Sequence, residues 1–461
     1  MNRLRVRMYR QGLGDSFLLT YSAPGRDEPT HLLIDCGVLK GTENATQRMQ
    51  EVAQNVRDET GGRLDVLVAT HEHWDHVSGF LQAGPIFDTL EVGEVWVGWT
   101  EDPQDELATE LRKRKRKRLQ GLAAAAKLAG DGDTSAAERT AHQLDALLGF
   151  EGDLGAGATK TTAAAMDWVK GRQGEVRYLR PGEQLFDLPS LPGIRVYVLG
   201  PPHDERLIKR SDPSKRHSEV YELAESGASH QGFLAASEAL AEGGSPSTQP
   251  FDPFFRLEEA AARTDAFFRE HYYDEGTDWR RIDHDWLGYA GQLALKLDSD
   301  TNNTSLVLAF ELASKGSVLL FPGDAQVGNW LSWEALEWRV EEDAGPRTVN
   351  TRDLLARTVL YKVGHHGSHN ATLREKGLEL MSNGDLTALV PVNRVTANKM
   401  NWLMPFPALL TRLIEKTNGR VIDAERGLDA ASPQDLNTAA WDDFVARVDV
   451  QDGWIDYTLE W

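Results

Sequence analysis

Three histidines and one aspartate occur within six residues of this chain, at His71, His73, Asp75 and His76. They directly follow the mainly apolar run 66–70, which is typical of a buried strand. Because alternate residues of an extended segment face the same way, His71 and His73 could share one metal ion, while Asp75 and His76 turn towards a second position. Imidazole nitrogens and carboxylate oxygens suit Zn, and also Mn or Fe. A polar loop with chance histidines is the alternative, but this spacing rarely arises by accident in a chain with 13 histidines.

Three further groups of ligand-type residues have the same form, in which polar side chains lie at or just after an apolar run. Asp35 ends one such run, Asp324 follows another, and the adjacent pair His365 and His366 follows a third. The alternation and clustering of apolar residues predict that these runs are strands. The sequence therefore places carboxylates and imidazoles at the ends of several strands.

Short apolar runs bounded by turn residues predict many strands and few helices in the main part of the chain. The predicted strands are 4–8, 17–20, 31–37, 64–69, 94–99, 194–199, 306–310, 318–321, 359–363, 389–392 and 449–461. Helical spacing of apolar residues predicts helices over 45–58 and about 406–416. The pattern indicates an α/β (α+β) protein, which we interpret as one domain over 1–461.

Two segments interrupt this pattern. Residues 101–170 are predicted to form a helical hairpin, with Asp102 and Pro103 at the start of its first helix and a second helix over about 135–149. Residues 204–295 are polar, with a connector over 243–247 and a helix over 257–271, and could lie over the site as a lid.

The first of these segments contains seven consecutive basic residues, which are Arg112, Lys113, Arg114, Lys115, Arg116, Lys117 and Arg118. On a helix they would cover every face, so we expect this helix to be exposed to solvent. It is either a solvated helix or a grip for the phosphates of a nucleic acid. Removing these seven charges from the net charge of −21 leaves −28, so the run is the outstanding local positive feature.

The overall composition restricts the class of protein. A net charge of −21 argues against a nucleic-acid-binding surface spread over the whole molecule. No apolar run approaches the ~20 residues of a transmembrane helix. The basic N-terminus is followed by no hydrophobic segment of the kind found in signal peptides. The single cysteine, Cys36, fits a reducing compartment, so we expect a cytoplasmic protein without a membrane partner.

With these motifs in hand, the chain resembles the metallo-β-lactamase-fold hydrolases, whose His-x-His-x-Asp-His motif is present in full at 71–76. It is most similar to the metallo-β-lactamase domain of the competence protein ComEC and its stand-alone bacterial relatives. The motifs typical of that group are matched at 12–15, 34–37, 302–306, 323–324 and 365–368. The resemblance covers about 1–100, 190–204 and 300–430 and leaves the helical segments outside it.

The resemblance implies a four-layer αββα sandwich with two largely helical insertions. It also implies two divalent cations, zinc or alternatively manganese, that activate water for attack on a phosphoryl or carbonyl centre. His71 and His73 would hold the first cation, with Asp324 bridging both. The second cation would be held by Asp75, His76 and one histidine of the 365/366 pair.

Two histidine assignments are less direct. A complete site of this fold has one more histidine on the first cation, and His203, which follows the strand 194–199 and two prolines, is the candidate; the alternative is an exposed loop histidine. Of the adjacent pair, His365 is the preferred ligand because only Gly364 separates it from the strand. His366 could orient a ligand or donate a proton to the leaving group, and the alternative is a packed loop histidine.

Three further polar residues are expected to support the ligands rather than bind metal. Asp35 would orient the 71–76 segment through hydrogen bonds, and Asp15 could do the same, although a turn residue is the stronger interpretation for Asp15. Asn303, next to Asn302, could cap a strand or reach substrate, with turn chemistry as the favoured interpretation. The residues assigned to catalysis are Asp75 and His366.

These observations lead to three functional hypotheses. The first is a metal-dependent phosphodiesterase or nuclease that acts on a nucleic acid or nucleotide, based on the ComEC-like motifs and the basic run. The second is a small-molecule hydrolase of the lactonase or cyclic-nucleotide phosphodiesterase type, favoured by the acidic composition and the lid-like segment. The third is a binding or regulatory module without catalysis, which an incomplete ligand set would permit.

Overall fold

The chain forms two large mixed β-sheets and one two-stranded sheet. The structure, a computed structural model, describes residues 1–130, 144, 147–153, 158–186, 188–189, 191–211, 257, 259–274, 285–341, 345–429 and 436–461.

The first sheet has eight strands and includes the N-terminal and C-terminal strands of the described chain. Its strands are β1 (Arg3–Tyr9), β2 (Ser16–Ser22), β3 (Thr30–Cys36), β4 (Arg63–Ala69), β5 (Glu91–Gly98), β6 (Glu175–Leu179), β16 (Val448–Val450) and β17 (Trp454–Glu460). Their order is β16-β17-β1-β2-β3-β4-β5-β6. The pairs from β3 to β6 are parallel and the others are antiparallel.

The second sheet has seven strands. They are β7 (Gln184–Leu185), β8 (Ile194–Gly200), β9 (Val307–Leu312), β10 (Ser317–Phe321), β13 (Thr358–Lys362), β14 (Thr387–Val390) and β15 (Val421–Asp423). Their order is β15-β14-β13-β10-β9-β8-β7, and the pairs from β10 to β15 are parallel. Strands β11 (Glu337–Val340) and β12 (Arg347–Asn350) form the small sheet.

Helices connect the strands. They are Ala45–Thr60, Trp74–Gln82, Gly84–Phe87, Glu106–Gly130, Thr162–Lys170, Glu205–Ile208, Glu259–Thr264, Ala266–Phe268, Asp285–Asn302, Val327–Ser332, Thr351–Ala356, Arg394–Lys399, Pro407–Lys416 and Thr438–Ala446. Short 3₁₀ turns occur at Trp99–Glu101, Gly149–Glu151, Trp333–Ala335, Gly364–Gly367 and Leu378–Leu380. The described elements confirm the predicted α+β class and most of the predicted strands.

Three of the five apolar clusters among the described residues form the core around the two large sheets. One cluster combines inward side chains of both large sheets, such as Phe17 of β2 and Phe321 of β10, whose rings meet edge to face at 5.7 Å. A second packs the other face of the first sheet against Met49 and Val56 of the helix Ala45–Thr60. The third packs the other face of the second sheet against helices that include Pro407–Lys416. The two large sheets therefore bury apolar side chains on both faces.

The carboxyl ends of parallel strands from both sheets meet at one edge of the molecule. Strands β4, β10 and β13 end there, and each is followed by a loop that carries ligand-type residues. A backbone hydrogen bond joins the two sheets at this edge, from Leu306 N–H to the carbonyl of Thr70 at 2.8 Å. Loops that are far apart in sequence therefore converge here.

The helix Glu106–Gly130, which we call the basic helix, contains the run 112–118. It begins later than predicted: Asp105, rather than Asp102, accepts the Ala108 N–H at 2.9 Å. It packs against the helix Asp285–Asn302 through an apolar cluster that includes Leu122 and Leu297. Most of the predicted second helix of this segment, over 135–149, lies outside the described residues.

One face of the basic helix is packed, so the prediction that the whole run is solvent-exposed is wrong. Lys115 is 12% exposed and contacts Glu151 at 3.0 Å, and Arg118 contacts Asp300 at 3.2 Å. Arg112 donates to the backbone of Thr100 and Asp102, and Arg114 pairs with Glu110 and Glu205. Glu151, Asp300 and Glu205, which are the partners of Lys115, Arg118 and Arg114, come from distant segments and cannot be predicted from the run itself. The residues of the run on its exposed face are Lys113, Arg116 and Lys117.

The second predicted insertion is described only in part. Residues 212–256, which include the predicted connector 243–247, lie outside the described residues, and so does most of the predicted lid. The predicted helix over 257–271 corresponds to the short helices Glu259–Thr264 and Ala266–Phe268 and the π-turn Arg269–Tyr273. Within the described part of the chain, no helix is both long and apolar enough to cross a bilayer.

Candidate metal centre

The change from strand to helix separates the histidines of the 71–76 motif into two pairs of ligand-type residues. His73 is still extended, with φ −116° and ψ 149°, and the helix Trp74–Gln82 starts directly after it. Asp75 and His76 therefore lie in the first helical turn, where a carboxylate is favoured by the helix dipole. His71 and His73 project from the extended segment before it.

The structure gathers four buried side chains into one group. Asp75, His76, Asp324 and His366 each offer a ligand atom, and these atoms all lie within 4.8 Å of one another. His76 Nε2 is 3.0 Å from Asp324 Oδ2, and His366 Nε2 is 3.0 Å from Asp75 Oδ2. None of the four residues is more than 1% exposed. This group could hold a metal ion.

The hydrogen bonds of His76 and His366 show which ring nitrogen is available. His76 Nδ1 lies 2.8 Å from Asp35 Oδ2, and His366 Nδ1 lies 2.7 Å from the Pro391 carbonyl. Both partners are acceptors, so each Nδ1 carries the hydrogen and each neutral ring presents a lone pair at Nε2. These lone pairs face the carboxylates of Asp324 and Asp75. Electron-rich atoms that approach this closely require a proton or a cation between them.

The pair His71 and His73 lies beside this group and follows the same logic. The Thr70 hydroxyl donates to Asp35 Oδ2 at 2.7 Å, so it accepts from His71 Nδ1 at 3.1 Å. His71 Nε2 is then a lone pair, and it lies 3.0 Å from His73 Nδ1. The rings of His71 and His76 are 4.2 Å apart. A second position for a cation therefore adjoins the first.

Electrostatics distinguish the two positions. Burial lowers the pKa of His76, but the carboxylates of Asp324, Asp75, Asp35 and Asp15 outweigh it and raise that pKa well above its usual range. His71 has the opposite shift: burial, together with the neighbouring His76 and His73, holds its pKa well below its usual range. Positive charge is thus strongly favoured among the carboxylates of the first group.

Asp324 is held by groups on both sides. Burial raises the pKa of its carboxyl, but His76 and the Lys362 ammonium outweigh it and hold the pKa well below its usual range. Lys362 Nζ donates to Asp324 Oδ1 at 3.2 Å, and His365 N–H donates to the same oxygen at 2.9 Å. Among the described residues, Asp324 Oδ2 has no hydrogen-bond partner. One carboxylate oxygen is therefore fixed by the chain and the other is left for a ligand.

The structure brings His366, rather than the expected His365, into this group. Both residues have left-handed backbone angles, with φ of 44° and 53°, which are unusual outside glycine. This turn sends the ring of His366 towards Asp75, while His365 Nδ1 contacts Ser368 and Gln326 at 2.9 and 3.2 Å. The number of residues between each histidine and the strand does not show which of the two rings the turn directs towards Asp75.

His203 does not lie in the cluster formed by the other candidate ligands, which are His71, His73, Asp75, His76, Asp324 and His366. Its side chain is 43% exposed, its Nε2 contacts Asp105 Oδ2 at 2.9 Å, and its ring packs on Trp99 at 4.2 Å. The structure thus places His203 at the start of the basic helix. The alternative of an exposed loop histidine describes this position better than a ligand does.

The residues expected to support the ligands lie around the cluster. Asp35 accepts from His76 Nδ1, from the Thr70 hydroxyl and from the Thr70 N–H, as the orienting role requires. Asp15 pairs with Lys362, and its N–H donates to the Asp75 carbonyl at 3.0 Å. Asn303 Oδ1 accepts from the N–H of Gln326, two residues after Asp324, so it shapes that loop.

Sequence reasoning did not identify Lys362, Glu151 or Asp298. Lys362 is 2% exposed and contacts both Asp15 and Asp324. Glu151 Oε1 and Asp298 Oδ1 lie 3.6 and 3.8 Å from His73 Nε2. The lysine could have been noticed as a charge within the apolar strand β13. No local signal marks the two carboxylates, since both come from helical segments outside the motifs.

No family model matches the chain, and no curated protein matches it.

Proposed function

We propose that this chain is a metal-dependent hydrolase of the metallo-β-lactamase type that cleaves a phosphodiester. The observation that carries the proposal is the set of buried histidine nitrogens, each of which lies 3.0 Å from a carboxylate oxygen or from another histidine nitrogen. The order of the sequence motifs along the chain supports the assignment to the metallo-β-lactamase type. The three core clusters, one between two sheets and one on each outer face, support the four-layer αββα arrangement of that fold.

The charge balance supports two divalent cations. Among the described residues, six carboxylates have an oxygen within 4.0 Å of a histidine nitrogen of the cluster, and they are Asp15, Asp35, Asp75, Glu151, Asp298 and Asp324. Two ammonium groups, of Lys362 and Lys115, contact these carboxylates. With all six carboxylates ionised and the histidines neutral, as metal ligation requires, six negative and two positive charges leave an excess of four, and buried charge of that size needs compensation. Two dications would supply it.

The donor set fits zinc, with manganese as an alternative. The cations would be held by His71 and His73 at one position and by Asp75, His76 and His366 at the other, with Asp324 between them. When bound, such cations lower the pKa of water and stabilise charge that develops on a phosphoryl group.

The chain's own contribution is to orient the ligands. Asp35 fixes the ring of His76, the Pro391 carbonyl fixes His366, and Lys362 holds one oxygen of Asp324. Preorganised ligands of this kind do not have to rearrange when substrate arrives. His366 is engaged at both ring nitrogens, so we assign it to the ligand group rather than to proton donation.

The test is hydrolysis by purified protein of single- and double-stranded DNA and RNA, with Zn or Mn. We expect cleavage that is lost in His73→Ala and in Asp75→Asn and retained in the control His203→Ala, since His203 lies outside the cluster. Absence of any cleavage that depends on His73 and Asp75 would remove the phosphodiesterase proposal.

A small-molecule hydrolase is the second candidate, and a specific observation favours it. All proposed ligands are buried, and much of the charge of the basic helix is used in internal ion pairs. Cyclic nucleotides and lactones therefore belong in the same assay. Lys113→Gln with Arg116→Gln removes charge from the exposed face of the basic helix. We expect it to weaken cleavage of a polymer and to leave turnover of a small ester unchanged.

A further inference from the structure

Two carboxylates flank one nitrogen of His73. Glu151 Oε1 is 3.6 Å and Asp298 Oδ1 is 3.8 Å from His73 Nε2. The side chains of His73, Glu151 and Asp298 are 1%, 4% and 11% exposed. His73 Nε2 and Asp298 Oδ1 are both buried, and neither has a hydrogen-bond partner within the part of the chain that the structure describes. Buried carboxylate oxygens are normally hydrogen-bonded, so an oxygen without a partner that faces an imidazole calls for a functional explanation.

Each carboxylate is held in place by its own neighbours. Glu151 lies in the 3₁₀ turn Gly149–Glu151 and contacts Lys115 of the basic helix at 3.0 Å. Lys115 also donates to the carbonyl of Glu72, the residue before His73, at 2.9 Å. The basic helix is thereby tied to both the motif and the carboxylate beside it.

Asp298 is fixed in a different way. It lies in the helix Asp285–Asn302, and its Oδ2 accepts from the Asn302 side chain at 3.1 Å, one turn later. This contact leaves Oδ1 directed towards His73. Asn302 belongs to the matched motif 302–306, so the position of Asp298 is coupled to the loop that leads into β9.

We propose that Glu151 and Asp298 are positioning residues for the His71–His73 metal position, and that they act by keeping the hydrogen of His73 on Nε2. The proposal rests on the proposed function, because it assumes that this pair binds a cation. The negative charge of two carboxylates at 3.6 and 3.8 Å, beyond hydrogen-bond distance, favours the tautomer of His73 with its hydrogen on Nε2. This tautomer places the lone pair of His73 at Nδ1, beside Nε2 of His71. A carboxylate behind a metal-binding histidine also makes that histidine a stronger ligand.

This arrangement bears on the missing third histidine. His203 lies on the surface beside Asp105, so it does not complete the His71–His73 position. Instead of a third histidine, two carboxylates from the helical segments strengthen metal binding by the two histidines that are present. The inserted segments then have a role in metal binding that none of the sequence motifs reveals.

The experiment measures the stoichiometry and affinity of Zn for metal-free protein by competition with a chromophoric chelator. We expect two ions per chain in the unaltered protein. We expect the ion at the His71–His73 position to bind more weakly than the other, because this position lacks a third histidine. Asp298→Asn and Glu151→Gln should each lower the affinity for this ion by about 10–100-fold, the usual effect of losing such a partner, and leave the affinity for the tighter ion unchanged. In a His73→Ala background, neither substitution should lower the affinity further.

A matched control and a second readout distinguish positioning from folding. Asp300→Asn alters a carboxylate two residues further along the same helix, one that pairs with Arg118 and Lys296 and not with His73. We expect it to keep both affinities. Nitrogen NMR of the metal-free protein should show His73 with its hydrogen on Nε2 in the unaltered chain, and a mixture of tautomers when both carboxylates are replaced.

The outcomes separate the two proposals. If the protein binds two ions and Asp298→Asn with Glu151→Gln binds them equally well, the positioning role is wrong and the hydrolase proposal stands. Equal losses in Asp300→Asn would overturn the positioning role as well, since docking of the helix would then explain the effect. If the unaltered protein binds no ion, the proposed function fails first and the positioning role fails with it.

Discussion

His366 Nε2 lies 3.0 Å from Asp75 Oδ2, although 291 residues separate the two along the chain. Asp75 is in the first turn of the helix after β4, and His366 is in the left-handed turn after β13. The two strands belong to different sheets, so this contact depends on how the sheets pack. It is also the contact that selects between the two adjacent histidines.

The first prediction concerns that selection. His366→Ala should weaken binding of the tighter metal ion by at least about 100-fold, because a ligand atom is lost from the group. His365→Ala should keep the ion, since its backbone N–H to Asp324 does not depend on the side chain. Equilibrium dialysis with metal analysis measures both. A reversal of the two results would show that His365 is the ligand.

Lys362 should be required for folding in the absence of metal. Lys362→Met leaves the buried carboxylates of Asp15 and Asp324 without their ammonium partner, which should cost about 3–5 kcal/mol in the free energy of unfolding. Urea unfolding of metal-free protein provides the measurement. Saturating Zn should recover part of the loss, because the cation replaces the missing charge. A loss below about 1 kcal/mol without metal would contradict this account.

Two lysines of the basic helix should behave differently. Lys115→Met removes the partner of Glu151 and should lower the free energy of unfolding by about 3 kcal/mol, as for other broken buried pairs. Lys113→Gln alters the exposed face and should change it by less than about 0.5 kcal/mol. Thermal or urea unfolding compares them. Similar losses for both would mean that the helix is not docked as described.

Removal of metal should destabilise the protein. A cation at about 100 times its Kd adds about 2.7 kcal/mol for each site, so a chelator should lower Tm and added Zn should restore it. In His76→Ala the chelator should have a much smaller effect, since His76 offers one of the four ligand atoms of the group. Differential scanning calorimetry provides the test. A chelator effect of full size in His76→Ala would place the metal elsewhere.

Glu311 should give a stability that depends on pH without involving the metal centre. Burial raises the pKa of Glu311, but the Tyr197 hydroxyl and the Arg357 guanidinium outweigh it and keep the folded pKa below its usual value. A depressed carboxyl pKa stabilises the fold above the unfolded pKa, near 4.5, and the stabilisation is lost as pH falls through the folded pKa.

Glu311→Gln should therefore lower the free energy of unfolding by about 2 kcal/mol at pH 7, in line with losing hydrogen bonds to a charged group. The difference from the unaltered protein should shrink as pH falls below about 4.5. Urea titrations at several pH values follow it. A difference that grows towards acid pH would show that the sign of the shift is wrong.

Local patterns were sufficient to predict the α+β class and most strands, and to place carboxylates and histidines at the ends of strands. That these side chains share one site was implied only by the family resemblance. Strand periodicity is local, so β1, β4 and β10 are visible in the sequence within a residue or two. The 71–76 motif likewise has its ligand spacing within six residues. What these patterns predicted correctly depends only on neighbours along the chain.

Tertiary structure decided what depends on packing between distant segments. The choice of His366 over His365 follows from two left-handed residues, whose angles are imposed by the surrounding fold. The charges of Lys115 and Arg118 became internal because Glu151 and Asp300 approach from other helices. His73 acquired two carboxylate neighbours for the same reason. Ion pairs between remote side chains have no sequence period, so only the packed chain determines them.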